Sequence, residues 1–284
     1  MQKQSNSLIA LGAIFLLLTA SVAQAHDAKT ITGLKTPESA IAAKDGRIFV
    51  SEIGEFGKDG DGQIALIGAD DKLQVFAIGM NDPKGLAIIG KDLYVADKTR
   101  VLKVAPDGKW QVFADAGAFP AIPQFLNDLE SDAEGNLYVS DSGDLKSGGA
   151  VYRINKAGKV TLITDGKKDA GVLAPNGLLM DGKGTLLEVD LASGILYHID
   201  IASGKLTKIA EGFGGGDGIA RSKKGVLYVS DWANGKVFSV SKDGKVEPLK
   251  DGFKSAADIN ISADGRYLMV PDMKAGELVM LPLH

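Results

Sequence analysis

Hydrophobic residues in this chain fall in short alternating runs, cut apart by glycine, aspartate, asparagine and lysine. Alternation of that kind marks half-buried strands bounded by turns. No segment shows a convincing 3.6-residue apolar stripe, so the pattern predicts almost no helix. One run recurs through the sequence. It reads as a strand, a tight glycine-containing turn and a second strand closing on an acid, as in Asn127-Asp-Leu-Glu-Ser-Asp-Ala-Glu-Gly-Asn-Leu-Tyr-Val-Ser-Asp141. The closing acids are Glu52, Asp97, Asp141, Asp190, Asp231 and Asp272, at steps of 45, 44, 49, 41 and 41 residues. Occurring once per unit, they read as a repeated structural feature.

Each acid is followed by a third strand, such as Arg100-Val-Leu-Lys-Val104, then a polar turn and a fourth, such as Trp110-Gln-Val-Phe113. Six units of this length, built from four short strands each, predict an all-β, six-bladed β-propeller with antiparallel blades. The sixth unit is one strand short. A spare strand, Ala28 to Gly33, precedes the first unit and is expected to become the outer strand of the last blade, closing the ring and covering a sheet edge. The alternative is a frayed tail.

The connections Ile53 to Asp61, Asp115 to Leu126, Ser142 to Gly149 and Asp165 to Pro175 are long, and all meet the same rim of the ring. Long loops gathered on one face of a rigid scaffold mark the functional face.

Residues 1–25 stand outside this pattern. Lys3, an apolar run from Leu8 to Thr19 and the small-x-small triplet Ala23-Gln24-Ala25 read as an export signal cleaved before His26, with an uncleaved anchor as the alternative. The expectation is a periplasmic or secreted protein with one domain over residues 26–284. No later stretch approaches the ~20 apolar residues of a membrane span.

Composition adds exclusions. There are 36 glycines in 284 residues, which suits a chain of many turns. The formal charge is −4, and losing Lys3 makes it one unit more negative, so there is no basic footprint for nucleic acid. With no cysteine, disulfides, thiolate metal sites and cysteine nucleophiles are excluded.

Counting back from each closing acid gives the residue expected to begin the innermost strand at the channel mouth. The positions are Glu38, Lys84, Asn127, Asn176, Asp217 and Asp258. All six are polar. Glu38, Asn127, Asn176 and Asp217 offer mixed carboxylate and amide oxygens, the donors of a hard divalent cation, with calcium favoured over magnesium. Asp258 is an outer partner of that set, in reach of the substrate, or a turn residue. Lys84 contacts an anionic substrate or pairs with Glu38 and Asp258.

The segments Thr36-Pro37-Glu38-Ser39-Ala40, Leu126-Asn127-Asp128, Pro175-Asn176-Gly177-Leu178 and Gly216-Asp217-Gly218-Ile219 resemble the metal-site motifs of the SMP-30/gluconolactonase-like six-bladed propellers, whose superfamily includes paraoxonases and diisopropylfluorophosphatase. The resemblance covers nearly all of residues 26–284. It implies a calcium-type ion at the channel mouth and hydrolysis of a lactone or ester, with Asp217 matching the aspartate assigned as general base. Glu38 is the second candidate base. Phe125 stands where sugar-lactonase members often carry arginine, the tryptophan common after the blade-one glutamate motif is absent, and no histidine falls on the ring. A more apolar substrate near Phe125, Phe119 and Trp232 is therefore expected. Two functions remain open: a metal-dependent hydrolase of a small-molecule lactone or ester, and a non-enzymatic module using the long-loop face for a protein partner.

Overall fold

The computed structural model describes residues 27–68 and 70–283, so the export signal expected over residues 1–25 lies outside the described residues. Six four-stranded antiparallel sheets follow one another along the chain. Their innermost strands are Pro37–Ala42, Pro83–Ile89, Leu126–Ser131, Pro175–Met180, Gly216–Arg221 and the short Asn260–Ile261. These define blades one to six of a β-propeller. Three of the six open on proline, which is tolerated at the first residue of a strand. The only helix among the described residues is one 3₁₀ turn, Ala116–Ala118, and no helix there is long and apolar enough to cross a membrane.

The ring closes as the missing strand required. Lys29–Thr32 pairs antiparallel with Glu277–Pro282, register Lys29 to Met280 and Thr32 to Glu277, as the outermost strand of blade six. Ile31 from this strand is buried in the core between blades six and one. Each of the six blade interfaces carries its own hydrophobic cluster, for example Leu126, Val139 and Tyr152 against Ala96 and Val101 between blades two and three. The core is therefore a ring of six seams around a channel.

The acids that close the second strands are clamps. Asp97 accepts the backbone N–H groups of Asn81 and Asp82 at 2.8 and 2.9 Å. Asp190 does the same for Leu173 and Ala174, and Asp272 for Lys254 and Ser255. Each carboxylate satisfies the amides of the segment entering its blade's innermost strand and so fixes where that strand begins. The side chain that follows each entry is held by this contact.

Candidate functional site

Directly after the clamped entry, the innermost strands of blades one to five share an irregularity. Pairing between first and second strand slips by one residue between Pro37 and Ala40, and at the same place between Pro83/Leu86, Leu126/Leu129, Pro175/Leu178 and Gly216/Ile219. An extra residue there is a bulge, which frees two residues from the ladder and re-aims their side chains. The first of the two is Glu38, Lys84, Asn127, Asn176 or Asp217. The amide released at the second is satisfied locally: Ser51, Ser140 and Ser230 accept from the N–H groups of Ser39, Asp128 and Gly218 at 2.9, 2.9 and 2.8 Å. These serines are thereby committed to holding the backbone.

The five re-aimed side chains are all buried, and all line one cavity of about 240 Å³ at the channel mouth. Its walls come from the long-loop rim: Ile53 and Phe56 after blade one's second strand, Phe125 and Leu145 around blade three, and Leu191, Trp232 and Met273 after the second strands of blades four to six. Of the two aromatics expected beside Phe125, Trp232 is present and Phe119 is not. Phe119 is buried in the core edge-on to Tyr152, ring centres 5.1 Å apart.

Asp258 is a correction. The turn between Ile261 and Leu268 holds one residue more than that between Ala42 and Ile48, so a fixed count back from the closing acid falls one short in blade six. Ala256 bridges Asp272 there, which puts Ala257 at the ring position. Asp258 bridges Ser39, accepts from the Ser39 hydroxyl at 2.5 Å, and lines a separate cavity of about 370 Å³ toward the opposite mouth, together with Asp128 and Glu130. Asp128 is engaged by the backbone amides of Leu129 and Leu178, both at 2.6 Å. Burial, with Glu130 nearby, pushes the Asp258 carboxyl up to about 7.

Lys84 is also re-read. It makes no ion pair with Glu38 or Asp258; its ammonium donates to the Asp82 carbonyl at 3.1 Å and lies 4.1 Å from the centre of the Phe125 ring. Burial pushes its pKa down, opposed by Glu38, Asp82 and Asp97.

Three of the remaining four residues keep an oxygen free. Among the described residues, six buried side-chain atoms lack a hydrogen-bond partner, and three of them are Glu38 Oε2, Asn127 Oδ1 and Asp217 Oδ1. Asn127 is oriented by its own amide, which donates to Ser142 Oγ at 3.1 Å while that hydroxyl donates to the Pro175 carbonyl at 2.8 Å. Asn176 hydrogen-bonds through its side chain to Asp217. Burial drives the Glu38 carboxyl well above its usual range, with Asp217 and Asp258 adding to the shift and Lys84 opposing it. Asp217 is raised likewise, by burial and then by Asp258. Buried oxygens aimed into one cavity without partners, on carboxyls that resist ionising together, are what a cation relieves. No group of three or more His, Cys, Asp or Glu side chains is placed to hold a metal among the described residues. This donor set is instead two carboxylates and two amides, the hard oxygen chemistry that suits calcium. His198 is far from it, paired with Asp181 at 2.8 Å in a turn beyond the other end of its blade.

Sequence reasoning missed Glu188. It stands in blade four two residues before the closing acid, where the other blades carry Val50, Val95, Val139, Val229 and Val270. Val189 occupies the place of the bulge-satisfying serine, and the backbone amide of the first bulge residue, Asn176, bonds the Glu188 carboxyl. Its Oε1 is buried without a partner. Burial, then Asp190, raises its pKa well above the usual range. A glutamate in a valine column was the available signal.

Comparison with known proteins places the chain in a family and matches its fold. The profile described as SMP-30/Gluconolactonase/LRE-like region matches residues 87–248, more than half of the chain. That span includes Asn127, Asn176 and Asp217 but not Glu38. Among solved structures, a gluconolactonase from Xanthomonas campestris superposes with a TM-score of 0.74 at 17% identity, over 90% of this chain and 89% of that one. A calcium-binding protein, regucalcin, from Agrobacterium tumefaciens gives 0.71 at 18% identity, over 88% and 90%. Virginiamycin B lyase from Staphylococcus aureus gives 0.61 at 15%, over 91% and 100%. At these identities the likeness shows the shared fold. No curated protein sequence matches the chain significantly.

Proposed function

Because the chain belongs to the SMP-30/gluconolactonase/LRE-like family, we propose that it is a metal-dependent hydrolase of lactones or esters, working at the channel mouth of the long-loop face. One observation carries this reading: the partnerless oxygens of Glu38, Asn127 and Asp217, with Asn176 beside them, converge on a single cavity. Glu38, Asn127, Asn176 and Asp217 would hold a divalent cation, calcium by their oxygen chemistry. Bound there, the cation supplies Lewis acidity toward a substrate carbonyl and lowers the pKa of a water.

The chain's own residues supply the rest. Asp217 is the general base: it takes one proton from the attacking water as the new carbon–oxygen bond forms. It returns that proton to the leaving alkoxide as the ester bond breaks. Glu38 is the alternative base. Burial, then Asp217 and Asp258, hold its carboxyl well above the usual range, opposed only by Lys84, so a bound cation would be what ionises it. Asn127 and Asn176 are neutral donors that leave the cation electrophilic. Lys84 is fixed at the wall by its bond to the Asp82 carbonyl. The same reading takes the protein to be exported, on the strength of residues 1–25.

The test is metal content of purified protein before and after chelation, followed by a lactone and aryl-ester panel. The expectation is about one calcium per chain and turnover lost on chelation. Asp217→Asn should lower kcat by at least about a hundredfold with the fold intact. A chain that holds no stoichiometric cation sinks the proposal. Cation without turnover favours the second reading, a binding or scaffold module, for which the exposed Phe56 and Ile122 on the long loops offer a contact face.

A further inference from the structure

The walls above the oxygen ring are of one kind. Ile53 and Phe56 come from one loop, Phe125 and Leu145 from the blade-three side, and Leu191, Trp232 and Met273 complete the enclosure. Apart from the ring residues themselves, no polar side chain among the described residues lines the cavity. The few donors nearby are engaged. The Trp232 indole N–H points at Met273 Sδ, 3.3 Å away, and the Lys84 ammonium donates to the Asp82 carbonyl beneath Phe125. A polyhydroxylated lactone placed here would surrender hydrogen bonds to water and find partners only at the ring oxygens on the floor, so each hydroxyl held against the walls carries a penalty. An aliphatic or aromatic group would gain from the same walls.

The rim points the same way. Phe56 is 54% exposed and Leu145 41% exposed, both beside this mouth on separate loops. Large apolar side chains held in water around a cavity are covered when an apolar ligand enters.

From these walls we infer that the acyl or alkyl part of the substrate is apolar. The molecule is a lactone or ester with an unhydroxylated aliphatic or aromatic substituent, its carbonyl directed at the oxygen ring. A sugar lactone does not fit the walls. The inference rests on the hydrolase reading for its reaction, and on the cavity alone for its chemistry.

Two measurements separate these supports. In the first, the calcium-loaded protein is assayed against δ-gluconolactone and against δ-lactones with alkyl chains of rising length. We expect kcat/KM to rise by roughly three- to fourfold per buried methylene, up to the limit of the cavity, with δ-gluconolactone poorest. Phe56→Ser, an exposed position that should fold normally, is expected to flatten that rise. Preference for δ-gluconolactone, or no dependence on chain length, overturns the inference. In the second, tryptophan emission is titrated with the longest-chain lactone and with δ-gluconolactone, using Trp232→Phe as control. Saturable change with the alkyl lactone alone, lost in Trp232→Phe, sustains the apolar site even where neither compound is hydrolysed, an outcome that removes only the hydrolase reading. No change with the alkyl lactone overturns it.

Discussion

At the scale of single residues, two acids carry consequences beyond the ring. Glu188 sits in a column of buried valines with one oxygen unpartnered and its carboxyl well above the usual range. Replacing a buried, half-satisfied carboxyl by the apolar residue its neighbours use is neutral to stabilising, by about 1–2 kcal/mol. Glu188→Val should therefore raise the thermal midpoint, and more so at pH 8 than at pH 5, because the folded protein must keep a proton there that the unfolded chain has shed. A lower midpoint at both pH values would show that the Asn176 amide depends on this carboxyl. Asp258 makes the same argument quantitative. Its folded value is about 7 against a usual 3.8. Between those values the unfolded state has lost a proton that the folded state retains, so stability falls as pH rises through that window and levels off above it. In chelator, Asp258→Asn should recover about 2–4 kcal/mol at pH 8 and almost nothing at pH 4. Equal effects at both would contradict the burial argument.

At the scale of elements, the innermost strand does the positioning. The residue after the ring position is glycine in blades two, four and five, and the reason is contact between neighbouring strands. A Cβ on Gly177 would fall 2.2 Å from the Asp217 carbonyl oxygen, and one on Gly218 2.3 Å from the Ile259 nitrogen. Gly177→Ala must therefore push Asn176 and Asp217 apart. We expect a loss of about 1–3 kcal/mol of stability, with weakened calcium affinity by calorimetry. Unchanged affinity would mean that the donors are not set by this approach. Element by element, the sequence was readable because the strand pattern and the closing acids recur. It misled where a turn changed length: one added residue in the blade-six hairpin moved Asp258 off the ring and left Ala257 in its place. It also gave no hint that Lys84 would satisfy its charge on a backbone carbonyl and an aromatic face, since neither partner is a matter of sequence spacing.

At the scale of the whole molecule, the ring is held by six interblade seams and one closing strand. Ile31 is the buried anchor of that strand, in the seam that joins blade six to blade one. Ile31→Asp places an unpaired charge there and should cost about 3 kcal/mol, lowering the thermal midpoint by several degrees. If the proposed cation binds only the closed ring, saturating calcium should restore part of that loss by mass action. A midpoint unmoved by Ile31→Asp would show that closure adds little.

The sequence by itself determined the strand period, the six-fold repeat, the closing strand and four oxygen-bearing residues at equivalent places. Each of these follows from local alternation and from counting, which need no knowledge of neighbours in space. Only the tertiary structure decided which oxygens remain unpartnered, that Asp258 faces the other mouth, that Phe119 is core, and that apolar loops wall the cavity. Those are properties of burial and of contacts between blades distant in sequence. They depend on where the ring brings the chain together.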